Sequence, residues 1–361
     1  MSARTARPLR SPIAAPLIEW HARCGRHDLP WQRDRDVYRV WVSEIMLQQT
    51  QVATVIPYFE RFMRQFPDAR ALAAAPLDAV LHEWSGLGYY ARARNLHRGA
   101  LQIRDRHGGV FPRQFAQVAS LPGIGPSTAG AILALTHGER HAILDGNVKR
   151  VLSRYFGIAD DPGAATTQRR LWQLSEACTP ERPGRDVATY TQAVMDLGAT
   201  LCMRHKPRCP TCPLAAGCNA HLTQRVHEIP AARRARARGA RHTFMLLARR
   251  ADGSILLQRR PNFGVWGGLW CPPEFAAEDG ACAFAASTLC ALAGAPQTLA
   301  PINHSFTHFD LTITPLLAAC AGASAVMDAE HMLWYNPRAP APLGLPAPVK
   351  ALLEDLGRVP S

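Results

Sequence analysis

The sequence Leu-Pro-Gly-Ile-Gly-Pro-Ser-Thr at residues 121–128 decides the fold of the first half of this chain. Glycine accepts positive φ and lets backbone N–H groups approach a ligand closely, so Gly123 and Gly125 predict a tight turn. A proline in the first helical turn, followed by Ser127 and Thr128 as capping hydroxyls, predicts the start of a helix. A helix N-terminus behind a glycine turn binds anions, and phosphate is the obvious anion for a basic protein. Taken alone, the stretch fits an ordinary turn between two helices equally well.

A second informative stretch, Ile-Leu-Asp-Gly-Asn-Val-Lys-Arg, follows at residues 143–150. It places Asp145 where apolar residues run into a helix, with Asn147 beside it and Lys149 one turn further on. An aspartate in that position is most often an N-cap. The alternative is a carboxylate that performs chemistry on the ligand held by the preceding turn.

The segment from Val37 to Arg64 has a long amphipathic pattern that predicts a helix. It carries Glu44, followed closely by Gln48 and Gln49. A lone glutamate on a helix is usually solvated, so the pattern by itself leaves its role open.

The segment from Trp84 to Asn95 combines two glycines, the aromatic pair Tyr89 and Tyr90, and two arginines on one turn and the helix after it. Such a turn suits a wedge that enters a base stack while arginines contact the DNA backbone. The alternative is a pair of core tyrosines with solvated arginines.

The composition points to a polyanionic partner. A chain of 361 residues predicts two domains, and its formal charge of +13 and pI near 9.7 favour nucleic acid without specifying a fold. No apolar run is long enough to span a membrane, and the N-terminus lacks the apolar region of a secretory signal.

Four of the ten cysteines, Cys202, Cys209, Cys212 and Cys218, form the pattern C-x6-C-x2-C-x5-C. Their density in a long chain without an export signal indicates a metal site in a reducing compartment. Four thiolates can hold zinc or a 4Fe-4S cluster, and their number does not distinguish the two. We expect the remaining cysteines to be small buried hydrophobic residues.

The pattern of the chain changes after residue 228. Residues 1–228 predict an all-α domain, residues 229–241 an arginine-rich linker, and residues 242–361 an α+β domain. In the last domain short apolar runs at 242–248, 255–258 and 309–314 predict strands, and Ala281–Ala293 predicts a helix.

These motifs together resemble the helix-hairpin-helix DNA glycosylase superfamily, and most closely its MutY-type adenine DNA glycosylases, over nearly the whole chain. The resemblance implies a multi-domain protein. Its parts are an all-α helix-hairpin-helix glycosylase domain with an iron–sulfur cluster loop, and a C-terminal α+β Nudix-like domain. In the latter, Gly264–Trp270 is similar to a family strand, but the glutamate-rich Nudix helix is absent, so we expect a binding domain and no pyrophosphatase activity.

The resemblance also implies roles for individual residues. It gives Glu44 the role of the acid that protonates adenine, Asp145 that of the carboxylate that stabilises or captures the sugar, and Asn147 that of an orienting residue. The four cysteines 202, 209, 212 and 218 would hold a 4Fe-4S cluster. The implied DNA-contacting residues, with Tyr89 as the intercalating wedge, are Gln48, Gln49, Tyr89, Gly123, Gly125, Ser127, Thr128 and Lys149. Trp31 and Gln32 match the pocket wall.

The resemblance finally implies a substrate. The family recognises 8-oxoguanine opposite adenine partly through a Phe-Ser-His turn, which here is Phe306, Thr307 and His308, with threonine in place of serine. Strand-cleaving relatives have a lysine at the position of Ser127, so we expect a monofunctional, base-flipping enzyme. The expected partner is double-stranded DNA with A:8-oxoguanine or A:G mispairs, bound by a monomer in the bacterial cytoplasm at the nucleoid. A lyase acting on oxidised pyrimidines and a non-catalytic damage sensor are the alternatives.

Overall fold

The computed structural model describes residues 11–231, 238–288, 294–320 and 331–358, which form two compact units. The first unit comprises the described parts of Met1–Ala73 and Arg98–Arg234, and the second those of Ala74–His97 and Ala235–Ser361. Our prediction of a linker at 229–241 stays a prediction, because residues 232–237 lie outside the described ranges.

The described α-helices follow in chain order: α1 Ala14–Cys24, α2 Val37–Leu47, α3 Val52–Gln65, α4 Ala69–Ala74, α5 Leu77–Glu83, α6 Ala91–His107, α7 Phe115–Ala119, α8 Pro126–His137, α9 Gly146–Phe156, α10 Ala165–Cys178, α11 Arg185–Thr200, α12 Asn219–Leu222, α13 Glu278–Thr288 and α14 Ala347–Arg358. The strands are β1 Gly239–Arg249, β2 Ile255–Arg259, β3 Trp270–Cys271, β4 Glu274–Phe275, β5 Gln297–Thr298, β6 Ile302–Ser305, β7 Phe309–Ala319 and β8 Met332–Tyr335.

The first unit is built from helices, as the sequence predicts. Its central core is formed by α1, α8, α9, α10 and α11, which bury Leu17, Leu152, Leu171 and Val194 against one another. Removing this apolar surface from water is the main stabilising contribution to the packing. The packing fixes the N-termini of α8 and α9 relative to each other.

The long amphipathic segment at residues 37–64 is two helices, so our prediction of one continuous helix is wrong. Gln49 has φ 59°, a left-handed backbone conformation that cannot continue a right-handed helix. The chain therefore leaves α2 after Leu47 and enters α3 at Val52. Gln48 and Gln49 thus lie on a turn at the end of the helix that carries Glu44.

The second unit contains a mixed sheet with the order β3-β2-β1-β7-β5, in which β1 and β7 run parallel along their full lengths. Strand β4 pairs with β1, β6 with β7, and β8 with β2. Helix α13 packs Ala281 and Ala285 against Leu246 and Leu316 of the sheet. The α+β class is confirmed, and the runs predicted at 242–248, 255–258 and 309–314 are all strands.

Three local predictions for this half and for the cysteines differ from the structure. The segment Gly264–Trp270 is a turn up to Leu269, because Gly264, Trp266 and Gly268 all have positive φ, and only Trp270 begins a strand. The predicted helix Ala281–Ala293 begins earlier, at Glu278, and residues 289–293, with Cys290, lie outside the described ranges. Cys24 is exposed, whereas Cys178 and Cys271 are buried as expected.

None of the described helices is both long enough and apolar enough to cross a bilayer.

Candidate active site and nucleic-acid contact residues

The glycine turn at residues 121–125 leads directly into α8. Gly123 has φ 80°, which favours glycine, and Gly125 is the N-cap residue of the helix. A Cβ atom built on Gly125 would meet nothing within 4 Å in the described structure, and its φ of −95° is open to any residue. Packing within the protein therefore does not require this glycine, whereas close approach of an external group would.

Ser127 does not cap α8, so our capping prediction is wrong for this residue. Its hydroxyl oxygen accepts a hydrogen bond of 2.9 Å from the backbone N–H of Leu144, the residue before Asp145. The helix N-terminus has no side-chain cap. Ser127 thus connects the start of α8 to the segment that leads into α9.

Asp145 is the N-cap of α9, as the simpler interpretation of the sequence predicted. Its Oδ1 accepts a hydrogen bond of 2.7 Å from the backbone N–H of Val148, and its Oδ2 accepts one of 3.4 Å from the Asn147 side chain. These bonds hold the carboxylate in one orientation at a helix N-terminus, where a negative charge is favourable. Capping and chemistry are compatible, because both need an oriented, ionised carboxylate.

Glu44 and Asp145 differ in the groups that set their pKa values. Burial, followed by the negative charge of Asp145, raises the pKa of Glu44 from 4.5 to about 8. Burial also raises the pKa of Asp145, but the N–H groups of Val148 and Asn147 and the positive charge of Arg150 oppose this change. A glutamic acid with a pKa near 8 is mostly protonated at neutral pH, whereas the N–H groups and the cation around Asp145 favour the ionised form of that residue.

Arg150 is a functional candidate that sequence reasoning missed. The cation whose charge opposes the rise in the pKa of Asp145 is Arg150. Its guanidinium donates to Asn147 Oδ1 at 2.9 Å, to the Gly198 carbonyl at 2.7 Å and to the Cys202 carbonyl at 2.7 Å. The i, i+3 spacing of Asn147 and Arg150 on one helix was the signal available in the sequence.

Gly198 explains how α11 approaches α9 so closely. A Cβ atom at this position would lie 2.5 Å from the Cβ of Asn147, closer than real Cβ contacts. The missing side chain lets the Gly198 carbonyl reach Arg150. The orientation of Asn147 therefore depends on helix packing as well as on its own helix.

A cavity of about 100 Å³ lies beside α2 in the first unit. Its walls are formed by His21, Arg26, His27, Trp31, Gln32, Arg35, Val40, Leu135, Ala188, Thr189 and Gln192. The predicted pocket-wall residues Trp31 and Gln32 are among them, together with Gln192 of α11. Glu44 does not line the cavity, but it lies four residues after Val40 on α2, on the same helix face. The lining combines an aromatic wall with amide and cationic donors, as a site for a flat polar ring requires.

Asp196 holds the polar side of this cavity in place. Its buried carboxylate accepts hydrogen bonds from the Arg26 backbone at 3.0 Å, from the Arg26 guanidinium, and from Gln192 Nε2 at 2.9 Å. The His21 ring and the side chain and backbone N–H of Arg26 keep the pKa of Asp196 below its usual value, despite its burial. Asp196 thus orients two cavity residues, Arg26 and Gln192, and does not line the cavity itself.

The four cysteines at 202, 209, 212 and 218 are partly buried, free thiols that influence one another electrostatically. Burial is the main cause that raises the pKa of Cys212 to about 11, and the other three cysteines add to it. Arg154 donates to Cys202 Sγ at 3.3 Å, so one sulfur already faces a cation. Among the described residues, no three His, Cys, Asp or Glu side chains are grouped closely enough to hold a single metal ion.

In the second unit, the segment from Trp84 to Arg94 exposes one tyrosine and buries the other. Tyr89 is 47% exposed and has φ 48°, whereas Tyr90 belongs to the core. We expected the two arginines to contact DNA, but Arg92 is buried and donates to the carbonyls of Leu87 and Gly88, and Arg94 donates to the Gly267 carbonyl. Arg92 thus holds the turn that presents Tyr89, and Arg94 connects the helix after that turn to Gly267.

The turn Phe306–His308 joins β6 to β7 and lies in the same unit as Tyr89. The Phe306 N–H donates to the Phe309 carbonyl at 2.8 Å, and the two rings stack at 4.7 Å. Thr307 and His308 are exposed at the tip. The Thr307 hydroxyl lies 3.0 Å from the Tyr89 hydroxyl. The structure thus brings two predicted contact residues together.

Two family models match separate parts of the chain. Residues 42–177 match the family model for HhH-GPD superfamily base excision DNA repair proteins, and residues 244–355 match that for the NUDIX domain. The chain is 36% identical over 340 residues to an adenine DNA glycosylase of Buchnera aphidicola subsp. Acyrthosiphon pisum (strain APS). The aligned region covers 94% of this chain and 96% of that protein. A human adenine DNA glycosylase is 42% identical over 222 residues, 59% of this chain and 39% of the human protein. The structure of a thermostable thymine-DNA glycosylase superposes on this chain with a TM-score of 0.53 at 26% sequence identity. The superposed region covers 58% of this chain and 95% of that glycosylase.

Proposed function

This chain belongs to the adenine DNA glycosylases of base excision repair, and we propose that it removes adenine paired with 8-oxoguanine or guanine in duplex DNA. The observation that carries the proposal is the pair formed by Glu44, whose pKa is raised to about 8, and Asp145, whose carboxylate accepts hydrogen bonds at a helix N-terminus. Cleavage of an N-glycosidic bond needs a protonated leaving base and a stabilised, positively charged sugar. Two carboxyl groups in different protonation states can divide these tasks.

In the proposed reaction Glu44 is the acid. Its pKa near 8 leaves it protonated at neutral pH, so that it can transfer its proton to N7 of adenine as the bond breaks. The resulting carboxylate then accepts a proton from the attacking water. Asp145, held by Val148 and Asn147, stays ionised and stabilises the oxocarbenium-like sugar or bonds to its C1′.

Base flipping delivers the adenine to these groups. An adenine inside a duplex does not present its glycosidic bond to a carboxyl group, so the base has to leave the stack. We place the extrahelical base in the cavity beside α2, against Trp31 and within reach of the amides of Gln32 and Gln192. Asp196 keeps Arg26 and Gln192 oriented for this contact.

We assign the DNA backbone to the N-termini of two helices. Gly123, Gly125 and Thr128 would contact phosphate through the first turn of α8, because backbone N–H groups and the helix dipole favour an anion there. Lys149 would contact the backbone near the start of α9. The N-termini of α8 and α9 both belong to the first compact unit.

The turn at the end of α2 supplies two further proposed contacts. Gln48 donates to the Gly123 carbonyl at 3.4 Å, and Gln49 is exposed on a left-handed backbone. The exposed Tyr89 of the second unit is the proposed wedge that fills the space left by the flipped base. We propose that a monomer makes all these contacts.

Ser127 supports a monofunctional reaction. A lyase needs an amine that attacks C1′ and forms a Schiff base, and this position carries a hydroxyl instead. The oxygen of that hydroxyl also accepts the Leu144 N–H, so Ser127 has a structural role beside the reacting carboxylate.

We further propose that Cys202, Cys209, Cys212 and Cys218 hold a 4Fe-4S cluster. Four free thiols within seventeen residues are the soft donor set that such a group requires, and burial raises the pKa values of Cys209, Cys212 and Cys218, which a bound cation would offset. Backbone N–H groups of Leu214 and Ala220 face the sulfurs of Cys212 and Cys218, as is favourable for ligated thiolates. The cluster would order the loop that contacts DNA.

The proposal is tested by single-turnover cleavage of duplexes that contain one A:8-oxoguanine or one A:G pair, with the abasic product split by alkali. The proteins compared are the wild type, Glu44→Gln and Asp145→Asn. Scission of the adenine strand that depends on alkali, and is lost in both variants, is the expected result. Tight duplex binding without scission by the wild type would refute the adenine assignment, and scission without alkali would refute the monofunctional reaction.

A further inference from the structure

Phe263 is the most exposed large hydrophobic side chain of the described residues, with 79% of its surface open to water. It lies on the turn at residues 262–268, between β2 and β3 of the second unit. Four large hydrophobic side chains are exposed in the described part of the chain, and the two aromatic ones, Phe263 and Tyr89, both belong to this unit. Sequence reasoning assigned no role to Phe263.

The turn that carries Phe263 is held in one conformation. Three of its residues have positive φ, and the Gly268 N–H donates to the carbonyls of Arg260 at 3.2 Å and Pro261 at 3.0 Å. A Cβ atom at Gly267 would lie only 2.9 Å from the backbone of Phe263, so the two sides of the turn pack backbone against backbone. This packing leaves no room for the Phe263 ring inside the turn, and the ring therefore projects outward.

The turn at residues 262–268 is continuous with both turns of this unit that are proposed to contact DNA. Arg94, five residues after Tyr89, donates to the Gly267 carbonyl. On the other side, the Trp266 ring lies 5.5 Å from the ring of Phe306, with which the turn between β6 and β7 begins. Phe263 thus extends a surface that already carries an exposed aromatic residue.

We propose that Phe263 is a second apolar wedge, which enters the minor groove of the bound duplex at a base step other than the one that Tyr89 enters. The duplex as partner rests on the proposed function. Phenylalanine is one of the side chains that proteins insert between base steps, where the ring replaces part of the lost stacking and the duplex bends. A rigid turn suits this role, because a ring that is already in place loses little conformational entropy on binding.

The surroundings of Phe263 favour DNA over a protein as the occupant. A stable protein interface buries about 800 Å² on each partner around a contiguous apolar centre. Here one ring stands between Asn262 and Gly264, and two arginines precede Pro261. A single exposed ring on a chain of formal charge +13 matches a groove wedge, for which the phosphates supply the long-range attraction.

The wedge is expected to contribute affinity without selecting a base. Every base presents a π-face, so stacking on an aromatic ring tolerates any sequence. Phe263 should therefore strengthen the binding of different mispairs by the same factor.

The test measures dissociation constants of the full-length protein for two duplexes in which a non-cleavable 2′-fluoro-2′-deoxyadenosine lies opposite 8-oxoguanine or guanine. Phe263→Ala is expected to weaken binding to both duplexes by one common factor of about fivefold to a hundredfold, whereas Phe263→Trp should keep the wild-type affinity. The salt dependence of binding should change by less than the roughly 0.9 in log–log slope that one phosphate contact contributes. Energy transfer between dyes at the two duplex ends should report a smaller bend with Phe263→Ala.

Val110→Ala is the matched control. Val110 is 68% exposed on the turn after α6, in the first unit, and its substitution should leave both dissociation constants unchanged. Thermal unfolding of each variant checks that it is folded.

Three results would overturn the role of Phe263 as a wedge. They are wild-type affinity of Phe263→Ala for both duplexes, a fall in salt slope as large as that of a lost phosphate contact, and self-association of the wild type that Phe263→Ala abolishes. The last result would show that a second copy of the chain occupies this site. If the wild type fails to release adenine while Phe263→Ala still weakens duplex binding as expected, the proposed function is refuted and the wedge is supported.

Discussion

The raised pKa of Glu44 gives a quantitative prediction for the rate of adenine release as a function of pH. An acid with a pKa of about 8 is mostly protonated at pH 7 and mostly ionised at pH 9, so the rate should fall about tenfold between these values. An ordinary glutamate would show no change there, because it is ionised throughout. The assay is single-turnover cleavage at enzyme concentrations below the dissociation constant of the duplex, which reports the pKa of the free enzyme.

Unfolding of the same protein supplies an independent check of this pKa. The pKa is higher in the folded protein than its ordinary value of 4.5, so the folded state keeps a proton that the unfolded state releases. The free energy of unfolding should therefore fall as pH rises from about 5 to about 8, by up to about 1.4 kcal/mol per pH unit. Glu44→Gln has no such group and should lose this dependence. A rate that is constant from pH 6 to pH 9, with equal pH dependence of unfolding in both proteins, would refute the assignment.

Three further predictions follow from contacts around Asp145 and the cysteines. Arg150→Gln removes the positive charge that opposes the rise in the pKa of Asp145, so the fall in rate at low pH, where Asp145 becomes protonated, should move to higher pH. Arg150→Lys, which keeps the charge, should move this fall in rate less. If neither variant moves it, the electrostatic role of Arg150 is contradicted. Ser127→Ala removes the acceptor of the Leu144 N–H and should slow single-turnover cleavage about twofold to tenfold. The control Thr136→Ala removes a hydroxyl that is bonded within α8 and should leave the rate unchanged. Equal rates in the two variants would count against positioning by Ser127. Cys209→Ser should lower both iron and acid-labile sulfide in the purified protein, and stoichiometric zinc without sulfide in the wild type would show that the site holds zinc.

Much of the candidate site follows from local sequence rules. The glycines at 123 and 125 before a proline predict a turn and a helix start, and both are present. Asp145 before a helix predicts an N-cap, which the structure also has. These features depend on a few adjacent residues, so the local sequence suffices to predict them.

Other features depend on contacts between residues far apart in the chain. The sequence did not indicate that Ser127 bonds to Leu144, because the bond joins two segments brought together by helix packing. The break after Leu47 was missed for a different reason. The apolar residues before and after Gln49 keep the spacing of one helix, so the sequence pattern does not reveal the left-handed backbone of Gln49.

The sequence by itself therefore determined the two classes of domain, the starts of α8 and α9, the pattern of four cysteines and the candidate carboxyl groups, since each rests on residue type and short-range spacing. Only the tertiary structure decided which groups act on one another. The pKa of Glu44 depends on burial and on Asp145, about a hundred residues away, and the Thr307 hydroxyl meets Tyr89 across more than two hundred residues. Desolvation and hydrogen bonding depend on distance in space, and the packing of the whole unit sets those distances.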